Sequence, residues 1–76
     1  MPWTRKLPSL IELKDGRTLV TLADARAVMQ SLPTSHQWRE RWLYTGGLLK
    51  ESASSDGALG ETHAHLTRAL RLEGLL

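Results

Sequence analysis

The chain has no cysteine and no phenylalanine. Without cysteine there are no disulfides and no thiolate metal sites. Without phenylalanine, aromatic bulk for a core falls to the tryptophans, above all Trp38 and Trp42. No apolar run is long enough to cross a bilayer. The opening Met1-Pro2-Trp3-Thr4-Arg5-Lys6 is basic but lacks an apolar segment and a small-residue cleavage site, so it does not read as a signal peptide. These absences point to a cytoplasmic protein. There is also no internal repeat and no low-complexity tract. A phosphate-cradling glycine motif is missing too: Gly57 and Gly60 stand apart and no Lys-Ser/Thr follows them.

What is present is a chain of 76 residues, 41% hydrophobic and 24% charged, the composition of an ordinary globular protein. It reads as one small domain spanning residues 1–76. A chain of this length buries about 60–65% of the surface its unfolded form exposes, which leaves a thin stability margin. Small domains offset this with disulfides, a structural metal or oligomerisation. Disulfides are excluded here, so self-association as a homodimer is expected. The net charge of +2 and a pI near 9.5 permit nucleic-acid binding. The longest basic run, however, is only Arg5-Lys6, short of the basic stripe that dedicated binders carry.

Two β-prone runs, Leu10-Ile11-Glu12-Leu13 and Thr18-Leu19-Val20-Thr21, flank Lys14-Asp15-Gly16-Arg17. Asp-Gly in that position predicts a hairpin, because a type I′ turn needs φ > 0 at both central residues. This register sets Leu13 opposite Thr18, Ile11 opposite Val20 and Lys14 opposite Arg17. Ile11, Leu13 and Val20 then share one face, and Leu10 and Leu19 point the other way. Thr21 with Asp24 forms a capping box that opens a helix over 22–32, and Pro33 stops it. Its apolar stripe is Leu22, Ala25, Val28, Met29 and Leu32.

A second helix is predicted from the Thr34-Ser35-His36-Gln37 cap, with Gln37 in the capping-box position, to about Glu51. Trp38, Trp42, Thr45 and Leu49 would face the core. Gly46-Gly47 requires either a bend or a close neighbour there, since each glycine costs about 1 kcal/mol relative to alanine. Residues 52–57 read as a loop. A third helix follows from near Asp56 or Gly60 to about Glu73, burying Leu59, Leu66, Ala69 and Leu70, with Ala58 and Leu72 at one side. Gly74 and Leu75 would close it in a Schellman motif. The expected fold is therefore α+β, a two-stranded antiparallel hairpin followed by three helices (ββααα).

Candidate chemistry is sparse. His63 and His65 are two apart, about 200° around a helix, and do not chelate one metal together. The serines cluster in the 52–55 segment, and no nucleophile–base pair or carboxylate pair is visible. No cofactor, metal or catalytic residue is assigned, and the chain reads as a non-enzyme. Residues 22–46 have a helix-turn-helix outline, with His36, Gln37, Arg39 and Arg41 opening a recognition helix and Arg5 and Lys6 adding charge. Against it stand Pro33 in the turn and the tryptophans on that helix. On the far side of the same helix lie Leu43 and Gly47, with Tyr44 at the edge: either the helix is central and sandwiched on both sides within the domain, or this is a self-association face where Gly47 permits close helix approach. The hairpin edge offers a second one, since a lone two-stranded sheet is marginal and pairing with a copy would make four strands.

The whole-chain layout comprises an N-terminal aromatic, a hairpin, the segment TLADARAVMQSLP and a Trp/Tyr-bearing helix. It resembles the short domain-of-unknown-function proteins of rhizobia and related α-proteobacteria. Those chains have a Trp-Pro where this one has Leu32-Pro33, and an EAG-like close for which Leu72-Glu73-Gly74 is the counterpart. This chain lacks the cysteine often present in their second helix, and its third helix is more polar. The resemblance implies a bacterial source, a small α+β domain and no established activity. The functional expectation is a protein–protein interaction or regulatory module acting as a homodimer, with an unidentified protein as a further partner. Nucleic-acid binding is the alternative.

Overall fold

Thr21 opens the first helix by the two-way exchange its sequence predicts. The Asp24 N–H donates to Thr21 Oγ1 at 3.2 Å, and the Thr21 N–H donates back to Asp24 Oδ2 at 3.1 Å. In this computed structural model, which describes residues 2–54 and 59–76, the helix α1 spans Leu22–Ser31. It follows a 3-10 turn at Pro2–Thr4 and the antiparallel strands β1 (Lys6–Glu12) and β2 (Thr18–Thr21). A one-turn helix α2 (Thr34–Gln37), a long helix α3 (Glu40–Ser54) and a helix α4 (Leu59–Leu72) complete an α+β fold of two strands and four helices.

The hairpin forms, but one residue out of the predicted register. Ile11 pairs with Leu19 and Glu12 with Thr18. The turn is a three-residue loop: the Gly16 N–H donates to the Leu13 carbonyl at 3.1 Å and the Leu13 N–H to the Arg17 carbonyl at 2.8 Å, with Gly16 at φ +94. That is a type I turn ending in a left-handed glycine, a loop that Asp-Gly serves as well as it serves I′. A one-residue slip exchanges the faces of a strand. Leu19 therefore joins Leu7, Ile11 and Leu13 in the core, whereas Val20 and Leu10 are exposed. Lys14 and Arg17 do not oppose each other, and Arg17 instead pairs with Asp15 at 2.7 Å.

The second predicted helix is two helices. Its break lies at Trp38–Arg39, and α3 runs without interruption through Gly46-Gly47. Close approach accounts for Gly46, where an added Cβ would lie 2.9 Å from Met29 Cε of α1; Gly47 faces open space. The break turns Trp38 out of the core, so that it is 70% exposed, while Trp42, Thr45 and Leu49 are buried as expected. Gln37 closes no capping box. Its Nε2 donates to the carbonyls of Leu32 (2.7 Å) and Gln30 (3.3 Å), finishing α1 instead. A recognition helix opening at His36 thus gives way to a single turn and a change of direction.

Ser52, Ala53 and Ser54 belong to α3 rather than to a loop; the rest of that predicted loop, Asp56 and Ala58 lie outside the described residues. Ser52 is buried against Thr62 of α4, oxygen to oxygen at 2.6 Å, and Thr62 also donates to the Leu48 carbonyl. Both hydroxyls are thereby satisfied where α3 meets α4, as buried polar groups must be. The Schellman close is present as predicted. Gly74 is at φ +79, its N–H donates to Arg71, and the Leu75 N–H donates to Leu70. The Leu75 carbonyl then accepts from Lys14 at 2.9 Å, tying the C-terminal turn to the hairpin. Trp3 packs on the core edge beneath the guanidinium of Arg26, 4.4 Å from its ring centre. Among the described residues no helix is long and apolar enough to cross a membrane.

Candidate functional site

Because α3 buries Trp42, Thr45 and Leu49, the helical repeat sends Leu43, Tyr44 and Gly47 outward. Leu43 and Tyr44 are each 51% exposed, and Leu72 of α4 is 57% exposed. Between α3 and α4 runs an open groove of about 710 Å³, with Leu43, Tyr44 and Leu72 among its walls and Glu40, His65 and Arg68 as its polar rim. A smaller groove of about 320 Å³ shares Leu43 and Tyr44 and reaches Gly47, Glu51 and Glu61. The three predicted interface residues are thus brought together on one outward face.

Tyr44 is held in place on that face. Its hydroxyl donates to Glu61 Oε1 at 3.1 Å, and the His65 ring meets it edge-on, 4.7 Å between centres. The hydrogen bond to Glu61, reinforced by that residue's negative charge, raises the tyrosine above its usual ionisation range. The phenol therefore stays protonated and keeps its donor role. A partly exposed aromatic fixed in one orientation presents contact area at small entropic cost, the property that enriches tyrosine at interfaces.

The residues of the nucleic-acid alternative are placed differently. His36 Nδ1 lies 2.9 Å from Glu73 Oε2, and Arg39, Arg41 and the Trp42 indole N–H all reach Glu73 Oε1, at 3.3, 3.2 and 2.9 Å. The Glu73 side chain is only 5% exposed. Burial pushes its carboxyl up, but the donors from Trp42, His36 and Arg41 outweigh burial and hold it below the usual carboxylate value. Gln37 is committed to α1. Arg5 uses its carbonyl to accept from Leu22, and Lys6 stands exposed at the start of β1. This Glu73 cluster escaped the sequence reading. A signal for it existed: a carboxylate at a helix C-terminus opposes the helix dipole and needs cationic company.

Of the histidines, His63 and His65 are separated as their spacing requires. His63 Nε2 lies 3.0 Å from Ser9 Oγ of β1, on the side of α4 facing the sheet, and His65 faces Tyr44. The Ser9–His63 contact is a hydroxyl beside an imidazole that the sequence did not reveal. It is an exposed pair outside both grooves, and no carboxylate orients the ring among the described residues. Nor does any group of three His, Asp or Glu side chains among the described residues stand close enough to hold a metal ion. Compared with protein-family models, with curated proteins and with solved structures, the chain matches none.

Proposed function

We propose that this chain is a non-enzymatic cytoplasmic protein-interaction or regulatory module that acts as a homodimer through the outward face of α3 and α4. One observation carries this reading. Leu43, Tyr44 and Leu72 are about half exposed along a single groove, while three cationic residues of the nucleic-acid alternative, His36, Arg39 and Arg41, are engaged by Glu73. Apolar groups grouped around a groove with a polar rim are the usual make-up of an interaction site. The exposed pair Leu10 and Val20 on the sheet is the rival apolar spot, and neither residue lines the α3–α4 groove.

Light scattering across a concentration series tests the proposal. A dimer mass is expected at high concentration, reverting to monomer in Leu43→Glu, which buries a charge at the centre of the face. A monomer mass for the unaltered chain throughout, or a dimer indifferent to Leu43→Glu, would refute it. Retention of mixed genomic DNA at low salt in a gel-shift assay would favour nucleic acid instead.

A further inference from the structure

On the outward side of α3, Glu40, Leu43, Gly47, Lys50 and Ser54 recur at alternating spacings of three and four, and all five are exposed. That is the spacing of a helix–helix seam. Its charges are asymmetric, with an acid at the N-terminal end and a base at the C-terminal end. Neither Glu40 nor Lys50 makes an ion pair among the described residues. A parallel copy would set Glu40 against Glu40 and Lys50 against Lys50. An antiparallel copy, with its two-fold axis at the level of Thr45, sets residue 40 opposite 50 and residue 43 opposite 47, each twice by symmetry. Gly47 has nothing within 4 Å of where a Cβ would stand, which leaves room for a leucine side chain from across the axis.

We infer that the occupant of this face is a second copy of the chain with its α3 antiparallel, each Leu43 seated over the other copy's Gly47 and each Glu40 paired with the other copy's Lys50. This rests on the α3–α4 face being the interface. The mixed charge of that face, with Glu40, Glu51 and Glu61 beside Lys50 and Arg68, suits a copy of itself better than a polyanion.

A charge swap read by sedimentation equilibrium at low salt tests the register. Glu40→Lys alone and Lys50→Glu alone each place like charges together at two symmetric positions, and each is expected to weaken the dimer about three- to tenfold. The Glu40→Lys/Lys50→Glu double variant is expected to return to within about twofold of the unaltered chain. If the double variant stays as weak as the singles, or the singles change nothing while Leu43→Glu still gives monomer, the register is overturned and the interface stands. A chain monomeric in every form overturns both. The absence of native cysteine permits a second readout, in which Leu43→Cys and Gly47→Cys chains are mixed under mild oxidation. The mixed 43–47 disulfide is expected to dominate, and a dominant 43–43 disulfide would indicate parallel helices and overturn the inference.

Discussion

At the C-terminal end of α4, Glu73 holds a buried carboxylate against the negative end of the helix dipole. It is stable there because donors from His36, Arg39, Arg41 and Trp42 converge on it. Glu73→Gln removes the charge those donors answer, and it is expected to cost about 2 kcal/mol, less than a fully buried pair because the arginines remain partly in water. A lower urea midpoint with an unchanged slope would show it. Acid acts on the same group. The folded carboxyl ionises below the usual 4.5, so on acidification the unfolded chain takes up its proton first. This contribution is complete above the usual value and is lost as the pH falls through the folded one. The stability gap between the unaltered chain and Glu73→Gln is therefore expected to be wide near pH 7 and to narrow as the pH falls below the usual carboxylate value. A gap that does not narrow would mean that Glu73 is not held by these donors. Asp24, which accepts from the N–H groups of Val20 and Thr21, is also held low and adds its own loss on the acid side.

The hairpin register is settled by burial rather than by the turn. Leu19 is buried and its neighbour Val20 exposed, so Leu19→Ala is expected to cost about 3 kcal/mol and Val20→Ala well under 1. Thermal or urea denaturation of the two variants compares them, and the reverse order would restore the two-residue turn. Local chemistry was legible at this level: the Thr21–Asp24 capping box and the Gly74 close each need only residues within about five positions of one another. The register was not, because Asp15-Gly16 fits both loop lengths and only the packed core distinguishes Leu19 from Val20. The helix break was not legible either. Trp38 continues the stripe of Trp42, yet the chain turns at Trp38–Arg39 and His36 meets Glu73, 37 residues away in sequence. The outward face of α3 could be read because it follows from Trp42, Thr45 and Leu49 by helical geometry alone. Leu72, its partner across the groove, required the packing of α4.

As a whole the molecule measures 28 × 25 × 19 Å, and a domain so small gains from any further apolar burial. Besides the single Trp38, the described residues expose large apolar side chains at two places, Leu10 with Val20 on the sheet, and Leu43, Tyr44 and Leu72 beside the α3–α4 groove. The second combines apolar groups with a shaped groove and with charges of both signs, Glu40 and Lys50, that make no ion pair among the described residues. An NMR dilution series of the backbone amides separates the two places. The expected result is concentration-dependent shifts at Leu43, Tyr44, Gly47 and Leu72, with Leu10 and Val20 unmoved. Shifts confined to Leu10 and Val20, or none at all up to about 1 mM, would show that the α3–α4 face is not where this protein meets its copy.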